Sequence, residues 1–361
     1  METQPLRFGI IGTGMMGLEH QRNLAALPGA VVTAFSDPTP TSLEWARAEV
    51  GGEGVTCFSD HRDLLASGLV DAVVIASPNM THRTIAADVI ASGLHVLIEK
   101  PLALTTAECR ELLEIPTAPG QVVAVGLEYR YMPPVAELIS LVRGGAVGEP
   151  KMVSITEHRF PFLVKVGDWN RFNENTGGTL VEKCCHFFDL MNLLTGANPV
   201  RVMASGAQDV NHLDERYDGR VPDILDNGFV IVDYDNGMRC ALDLCMFAEG
   251  SEEQEELSVV GTLGKVEAFL PSSTVRVGQR STGRGGVITR HVVDDSIGHE
   301  GFHHGASFVE HRRFIEAIRG GTAPEVTLLD GLRAVAIGEA AQIALGEHRV
   351  VELSEVGLAS R

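Results

Sequence analysis

The chain has 361 residues, enough for about two domains, and its 44% hydrophobic and 21% charged residues suit folded cores rather than disorder. A formal net charge of -19 repels phosphate backbones and sets nucleic acid aside as a partner. No apolar run approaches the ~18 residues of a membrane span, and METQPLRFGI lacks the basic and apolar regions of a signal peptide, so a cytoplasmic location is expected.

Leu6–Ile11 reads as a strand. It meets Gly12, Gly14 and Gly17 in the spacing G-x-G-x-x-G, with Met15 and Met16 between them, and a helical pattern follows over Leu18–Leu27. In a strand–turn–helix unit each glycine has a task. Gly12 makes the turn, Gly14 lets backbone approach a pyrophosphate, and Gly17 lets helix and strand pack closely. A second strand, Ala30–Phe35, leads to Asp37, about twenty residues on, where a carboxylate would accept the ribose hydroxyls of a dinucleotide. The residues after it, Pro38, Thr39 and Pro40, include no cation for a 2′-phosphate, so NAD is expected over NADP.

Strand and helix keep alternating. Helices are expected at Ser42–Val50, Asp60–Ala66, Thr81–Ser92 and Thr106–Leu113; strands at Ala72–Ala76, His95–Ile98 and Val122–Val125. The unbroken apolar run Ala72–Ala76 suits a strand buried on both faces of a parallel sheet. This is the pattern of a doubly wound α/β domain over residues 1–126, whose ligands lie beyond the carboxyl ends of the strands. Ser77, Pro78, Asn79 and His82 follow one such strand; Glu99, Lys100 and Pro101 follow the next. Pro101 keeps Lys100 out of the helical region or presents it through a cis bond.

From Leu127 the pattern changes. A helix at Pro134–Arg143 precedes strand candidates at Lys151–His158, Val200–Gly206, Gly228–Tyr234, Met238–Phe247, Glu255–Val260, Val266–Phe269 and Val275–Val277, with Asn236-Gly237 as a hairpin turn. Residues 127–361 therefore read as an α+β domain with a largely antiparallel sheet, closing with helices at Phe302–Arg319 and Leu329–Leu345. Within it, Gly177-Gly178 opens what reads as one helix carrying Glu182, His186 and Asp189 at i, i+4, i+7 on a common face. A carboxylate beside an imidazole suits a general acid/base, and the alternative is one satisfied histidine on an ordinary helix. The spacing fits no usual zinc pattern, so no metal is expected, and Cys184 and Cys185 read as packing residues. The six cysteines form no C-x-x-C pair and are read as thiols.

Taken together, GTGMMG, SPNMTH, IEKP and GGTLVEKCCHFFD resemble the Gfo/Idh/MocA family of glucose–fructose oxidoreductase and inositol dehydrogenase relatives, over nearly the whole chain. The resemblance implies a Rossmann-type domain followed by one with an open-faced sheet that forms the interface of a homodimer or homotetramer. It implies hydride transfer between NAD(P) and a hydroxyl-bearing carbon of a sugar, cyclitol or related polyol. Lys100 and His186 match the family's catalytic lysine and proton-transferring histidine. Glu182 stands where an aspartate is usual, one methylene longer, and Lys183 adds a charge that only some members carry. Ser77, Pro78, Asn79, His82 and Glu99 match cofactor-contacting positions, and Arg130 matches an arginine near cofactor and substrate. Substrate candidates beside Lys100 and His186 are His158, Arg159, Trp169, Asn170, Arg171, His303 and His304. The family also permits a redox-neutral glycosidase or lyase, and a nucleotide-binding regulator is a third possibility.

Overall fold

In the computed structural model, which describes residues 4–51 and 54–358, the N-terminal part alternates strand and helix as its apolar spacing predicts. The chain divides into two units. The first holds the residues up to Glu128 with Lys165–Trp169 and Ser296–Leu332; the second holds Tyr129–Val164, Asn170–Asp295 and the residues from Arg333 on.

In the first unit the order is β1 (Leu6–Ile11), α1 (Met15–Ala25), β2 (Ala30–Ser36), α2 (Pro40–Glu49), β3 (Thr56–Phe58), α3 (His61–Ala66), β4 (Ala72–Ile75), α4 (His82–Ser92), β5 (His95–Glu99), α5 (Thr106–Leu113) and β6 (Val123–Gly126). The strands pair in the order β3-β2-β1-β4-β5-β6, every pair parallel. All four residues of β4 are buried, as a central strand covered on both faces requires. The order reverses between β1 and β4, which is where a doubly wound sheet opens its ligand crevice. Phe8, Ile10, Leu24, Phe35, Val74 and Leu97 form the core with Phe308, Phe314 and Ile315 from a late helix. The apolar pattern does not predict β3, whose three residues are half-buried or exposed and pair only with β2.

The second unit contains α6 (Pro133–Arg143), β7 (Pro150–His158), α7 (Asn173–Thr176), α8 (Thr179–Glu182), α9 (Cys185–Thr195), β8 (Pro199–Ala207), β9 (Asn227–Tyr234), β10 (Arg239–Cys245), β11 (Glu255–Gly261), β12 (Gly264–Leu270), β13 (Thr274–Gln279) and β14 (Ile288–His291). The late helix α10 (Ala306–Gly320) belongs to the first unit; α11 (Leu328–Glu347) and β15 (Val351–Glu352) follow. The sheet order is β14-β13-β12-β11-β7-β10-β9-β8-β15. Only β7 and β10 pair in parallel, so the sheet is mixed but largely antiparallel. Burial alternates along β9, β10 and β11, as a sheet covered on one face requires. Helix α6 packs on β12 and β13, and α9 on β7. The other face exposes Met152, Phe229, Ile231 and Val260.

The single helix expected after Gly177-Gly178 is instead two. α8 stops at Glu182, Lys183 caps it, and α9 begins at Cys185. Both glycines have positive φ, and a Cβ on Gly178 would meet the Gln342 side chain. His186 and Asp189 keep their i, i+3 spacing on α9, whereas Glu182 closes α8 and is separated from them by the break at Lys183 and Cys184.

Candidate active site

The glycine turn has the geometry its spacing requires. Gly12 has φ +90°, and a Cβ there would stand 2.5 Å from Ser77 N; a Cβ on Gly17 would stand 2.1 Å from Gly12 O. Gly14 differs, since nothing lies within 4 Å of where its Cβ would be. It is the N-cap of α1 and contributes no side-chain cap, so the first-turn N–H groups at Met15 and Met16 face a cradle suited to a pyrophosphate. Asp37 accepts from Thr13 N (2.8 Å), Thr13 Oγ (3.2 Å) and Thr39 N (2.8 Å). Those bonds hold the carboxylate at the end of β2 while leaving lone pairs for ribose hydroxyls. Open cradle and fixed acid together fit a dinucleotide.

Beyond β4, Ser77 Oγ bonds Thr81 Oγ1 at 2.7 Å, and Asn79 is buried. His82 is wholly buried, with Nδ1 2.7 Å from Pro101 O and Nε2 2.9 Å from Ser77 O. Burial pushes its proton affinity below the ordinary imidazole value. The imidazole lies between two carbonyls and so bridges the Ser77-Pro78-Asn79 turn and the Glu99-Lys100-Pro101 turn.

Glu99 is also committed to the fold. Its Oε1 lies 2.8 Å from His20 Nε2, and its Oε2 accepts Lys100 N at 3.1 Å. Burial alone would raise this carboxyl, but the hydrogen bond and charge of His20, with the charges of Lys100 and His303, hold it at about 2. The Lys100–Pro101 bond is cis. Behind His20 stands His311, whose Nε2 is 3.2 Å from His20 Nδ1 and whose Nδ1 donates to Ser307 O at 2.7 Å. Burial, then the neighbouring His20, lowers His311 to about 3. With His311 donating through Nδ1 to the Ser307 carbonyl, its Nε2 faces His20 Nδ1 and closes a buried row from Glu99 to Ser307.

In the second unit His186 is the second residue of α9 and is buried, as is Glu182 at the end of α8. The Tyr129 ring lies against the His186 imidazole, centroids 4.0 Å apart and planes 10° apart. Arg130 holds both oxygens of Asp189, at 2.6 and 2.5 Å, and both groups are buried. His158 Nε2 is 3.1 Å from Asp243 Oδ1 and partly exposed. Arg159 lies over the Phe160 ring and 3.3 Å from Glu157. Arg171 is 2% exposed, bonded to Glu215 at 2.9 Å and to Asn170 at 3.4 Å, and it anchors the segment after β8. Asn170 likewise donates to Leu163 O. In the first unit Trp169 is half-buried, His303 Nδ1 lies 3.4 Å from Glu128, and burial lowers the proton affinity of His304.

Two family profiles cover nearly all of this chain. The NAD-binding Rossmann-fold domain of the oxidoreductase family matches residues 6–127, and the C-terminal alpha/beta domain of that family matches residues 139–353. The chain belongs to the Gfo/Idh/MocA oxidoreductases. Inositol 2-dehydrogenase 1 of Saccharopolyspora erythraea is 29% identical over 96% of both chains. Myo-inositol 2-dehydrogenase of Thermotoga maritima is 28% identical over 97% of this chain and 99% of its own. The solved structure of a levoglucosan dehydrogenase in complex with NADH superposes with a TM-score of 0.84 over 97% of this chain and 99% of that one, at 23% identity, which shows a common fold.

Several buried polar groups of this Gfo/Idh/MocA chain escape sequence reasoning. His20, His311 and Glu310 stand behind Glu99. Burial, and then Glu128 and Glu99, raise the Glu310 carboxyl well above its usual range. In the second unit Lys183 is buried, 2.6 Å from Tyr129 Oη and 2.9 Å from Glu157 Oε1. Burial lowers the Lys183 ammonium against the pull of Glu157, while burial and Glu157 raise Glu255 to about 7. No spacing rule connects these residues, because, apart from the neighbours Glu310 and His311 on α10, they come from different parts of the fold.

Proposed function

We propose that this chain is an NAD-dependent dehydrogenase that oxidises one secondary hydroxyl of a cyclitol, sugar or related polyol. NAD supplies the hydride acceptor for the carbinol C–H. His186 takes the hydroxyl proton as the C=O bond forms, and Glu182 assists the imidazole. Lys100 places an ammonium at the same oxygen and stabilises the charge that develops there. Asp37 favours NAD, since a carboxylate accepts two ribose hydroxyls and repels a 2′-phosphate.

The carboxyl edge of the first sheet carries this reading. Asp37 follows β2, the glycine turn follows β1, Ser77 follows β4 and Lys100 follows β5, in the order in which those strands lie. A dinucleotide with its adenosine at Asp37 and its pyrophosphate at Gly14 thus points its nicotinamide toward the β4–β5 side, where Lys100 stands. The full-length likeness to two inositol 2-dehydrogenases supports a cyclitol or polyol as the substrate class. We further infer that copies associate as dimers or tetramers through the exposed face bearing Met152, Phe229 and Ile231, which light scattering on the purified chain tests.

The deciding experiment is a panel of inositols, hexoses, anhydrosugars and glycosides incubated with NAD⁺ and followed by absorbance of the reduced cofactor. Net reduction with a free polyol supports the reading. Turnover of a glycoside with no net reduction would replace it with redox-neutral chemistry.

A further inference from the structure

The His186 side chain presents a problem that its own rotamers do not solve. The torsion that turns an imidazole about its Cβ–Cγ bond is broad and roughly two-fold, so residence in the first turn of α9 does not fix the plane of the ring. A proton acceptor needs that plane fixed, because its lone pair lies in it. The flat contact with Tyr129, only 10° from parallel, does fix it.

Tyr129 is itself held by its neighbours. Its hydroxyl receives a 2.6 Å bond from Lys183 Nζ, and its ring meets Phe187 edge-on, centroids 5.7 Å apart at 72°. Lys183 is fixed in turn by Glu157, at 2.9 Å, and Glu157 is wholly buried with Arg159 3.3 Å away. Glu255, also buried, completes the charged set. A buried ion cluster is a poor stabiliser compared with an apolar core of the same volume; its best-attested use is to impose one arrangement. Here the arrangement it imposes is that of the Tyr129 ring. Lys183 stands at the break between α8 and α9, as the cap of the first.

We propose that Tyr129 and Lys183 are positioning residues for His186: the Glu157–Lys183 pair holds the Tyr129 hydroxyl, and the Tyr129 face holds the imidazole plane in the orientation that accepts the substrate proton. This rests on the reading of His186 as that acceptor, and neither residue touches the reacting atoms.

A double-mutant cycle tests it, using the best-oxidised polyol of the panel and NAD⁺. Tyr129→Leu lowers kcat about tenfold with KM and NAD⁺ affinity nearly unchanged, and adds nothing in a His186→Ala background. Tyr129→Phe keeps the face but loses the lysine bond; it gives a smaller loss, which Lys183→Met reproduces and does not deepen. Tyr129→Phe carries the same cycle if the leucine variant does not fold. By NMR, the His186 ring protons, assigned by their loss in His186→Ala, move downfield in Tyr129→Leu as the ring current is removed. An unchanged kcat in the Tyr129 variants, an equal fractional loss with and without His186, or an unmoved resonance overturns the proposal. Wild-type turnover in His186→Ala alone would instead overturn the assignment of His186, and the cycle reads that separately.

Discussion

Nε2 of His20 lies 2.8 Å from Oε1 of Glu99, and this bond decides what the Glu99-Lys100-Pro101 turn does. Glu99 is spent on His20 and on the Lys100 backbone N–H, so the turn's carboxylate holds the lysine's main chain in place. The pair also predicts an acid sensitivity. A carboxyl held at about 2, against 4.5 ordinarily, adds stability that is complete above the ordinary value and is lost as pH falls from 4.5 toward 2. Urea midpoints of wild type should therefore fall more steeply between about pH 5 and pH 3 than those of Glu99→Gln. Parallel curves would contradict the pairing.

Glu310 has the opposite sign. Its carboxyl is raised, so it contributes stability below the ordinary range that is lost as pH rises. Glu310→Gln keeps the shape and cannot ionise. Its melting temperature should exceed that of wild type at about pH 8, and by less at about pH 5. A variant less stable than wild type at both would show that Glu310 is ionised in the fold.

The three glycines of the turn should respond differently to alanine. Gly12→Ala meets Ser77 backbone in a left-handed conformation and should unfold the first unit or lower its melting temperature sharply. Gly14→Ala meets nothing, so its melting temperature should match wild type while NAD⁺ binds at least roughly tenfold more weakly by fluorescence titration. Normal NAD⁺ affinity in Gly14→Ala would remove the pyrophosphate from that cradle.

Asp37→Ser removes the charge that repels a 2′-phosphate and two bonds to backbone N–H groups. The ratio of kcat/KM for NAD⁺ to that for NADP⁺ should fall by about tenfold or more. An unchanged ratio would place cofactor choice elsewhere.

The first sheet was legible because its signals are local. A strand, a glycine turn, a helix and an acid twenty residues on leave marks within one short window, and Ala72–Ile75 advertises its burial by being wholly apolar. The short edge strand β3 offers no such run. The helix break at Lys183 was illegible for another reason: an i, i+4 pair looks alike on one helix or on two. His20 and His311 lie 291 residues apart, and Lys183 reaches Glu157 across the fold, so nothing in the linear order announces either cluster. Arg171 and His82 pose the same difficulty. Their residue types suit a binding site, but only the fold reveals the bonds they make to Glu215 and Asn170 and to the Pro101 and Ser77 carbonyls.

The most direct measurement is the fate of the carbinol hydrogen. A polyol oxidised in the panel, deuterated at the reacting carbon, is incubated with NAD⁺, and the reduced cofactor is examined by mass spectrometry and NMR. The expected result is one deuterium at nicotinamide C4 with wild type, and a rate lowered roughly 10²-fold in Lys100→Ala and in His186→Ala while NAD⁺ affinity is kept. Substrate consumption without deuterium in the cofactor, or wild-type rates in either variant, would contradict hydride transfer assisted by Lys100 and His186.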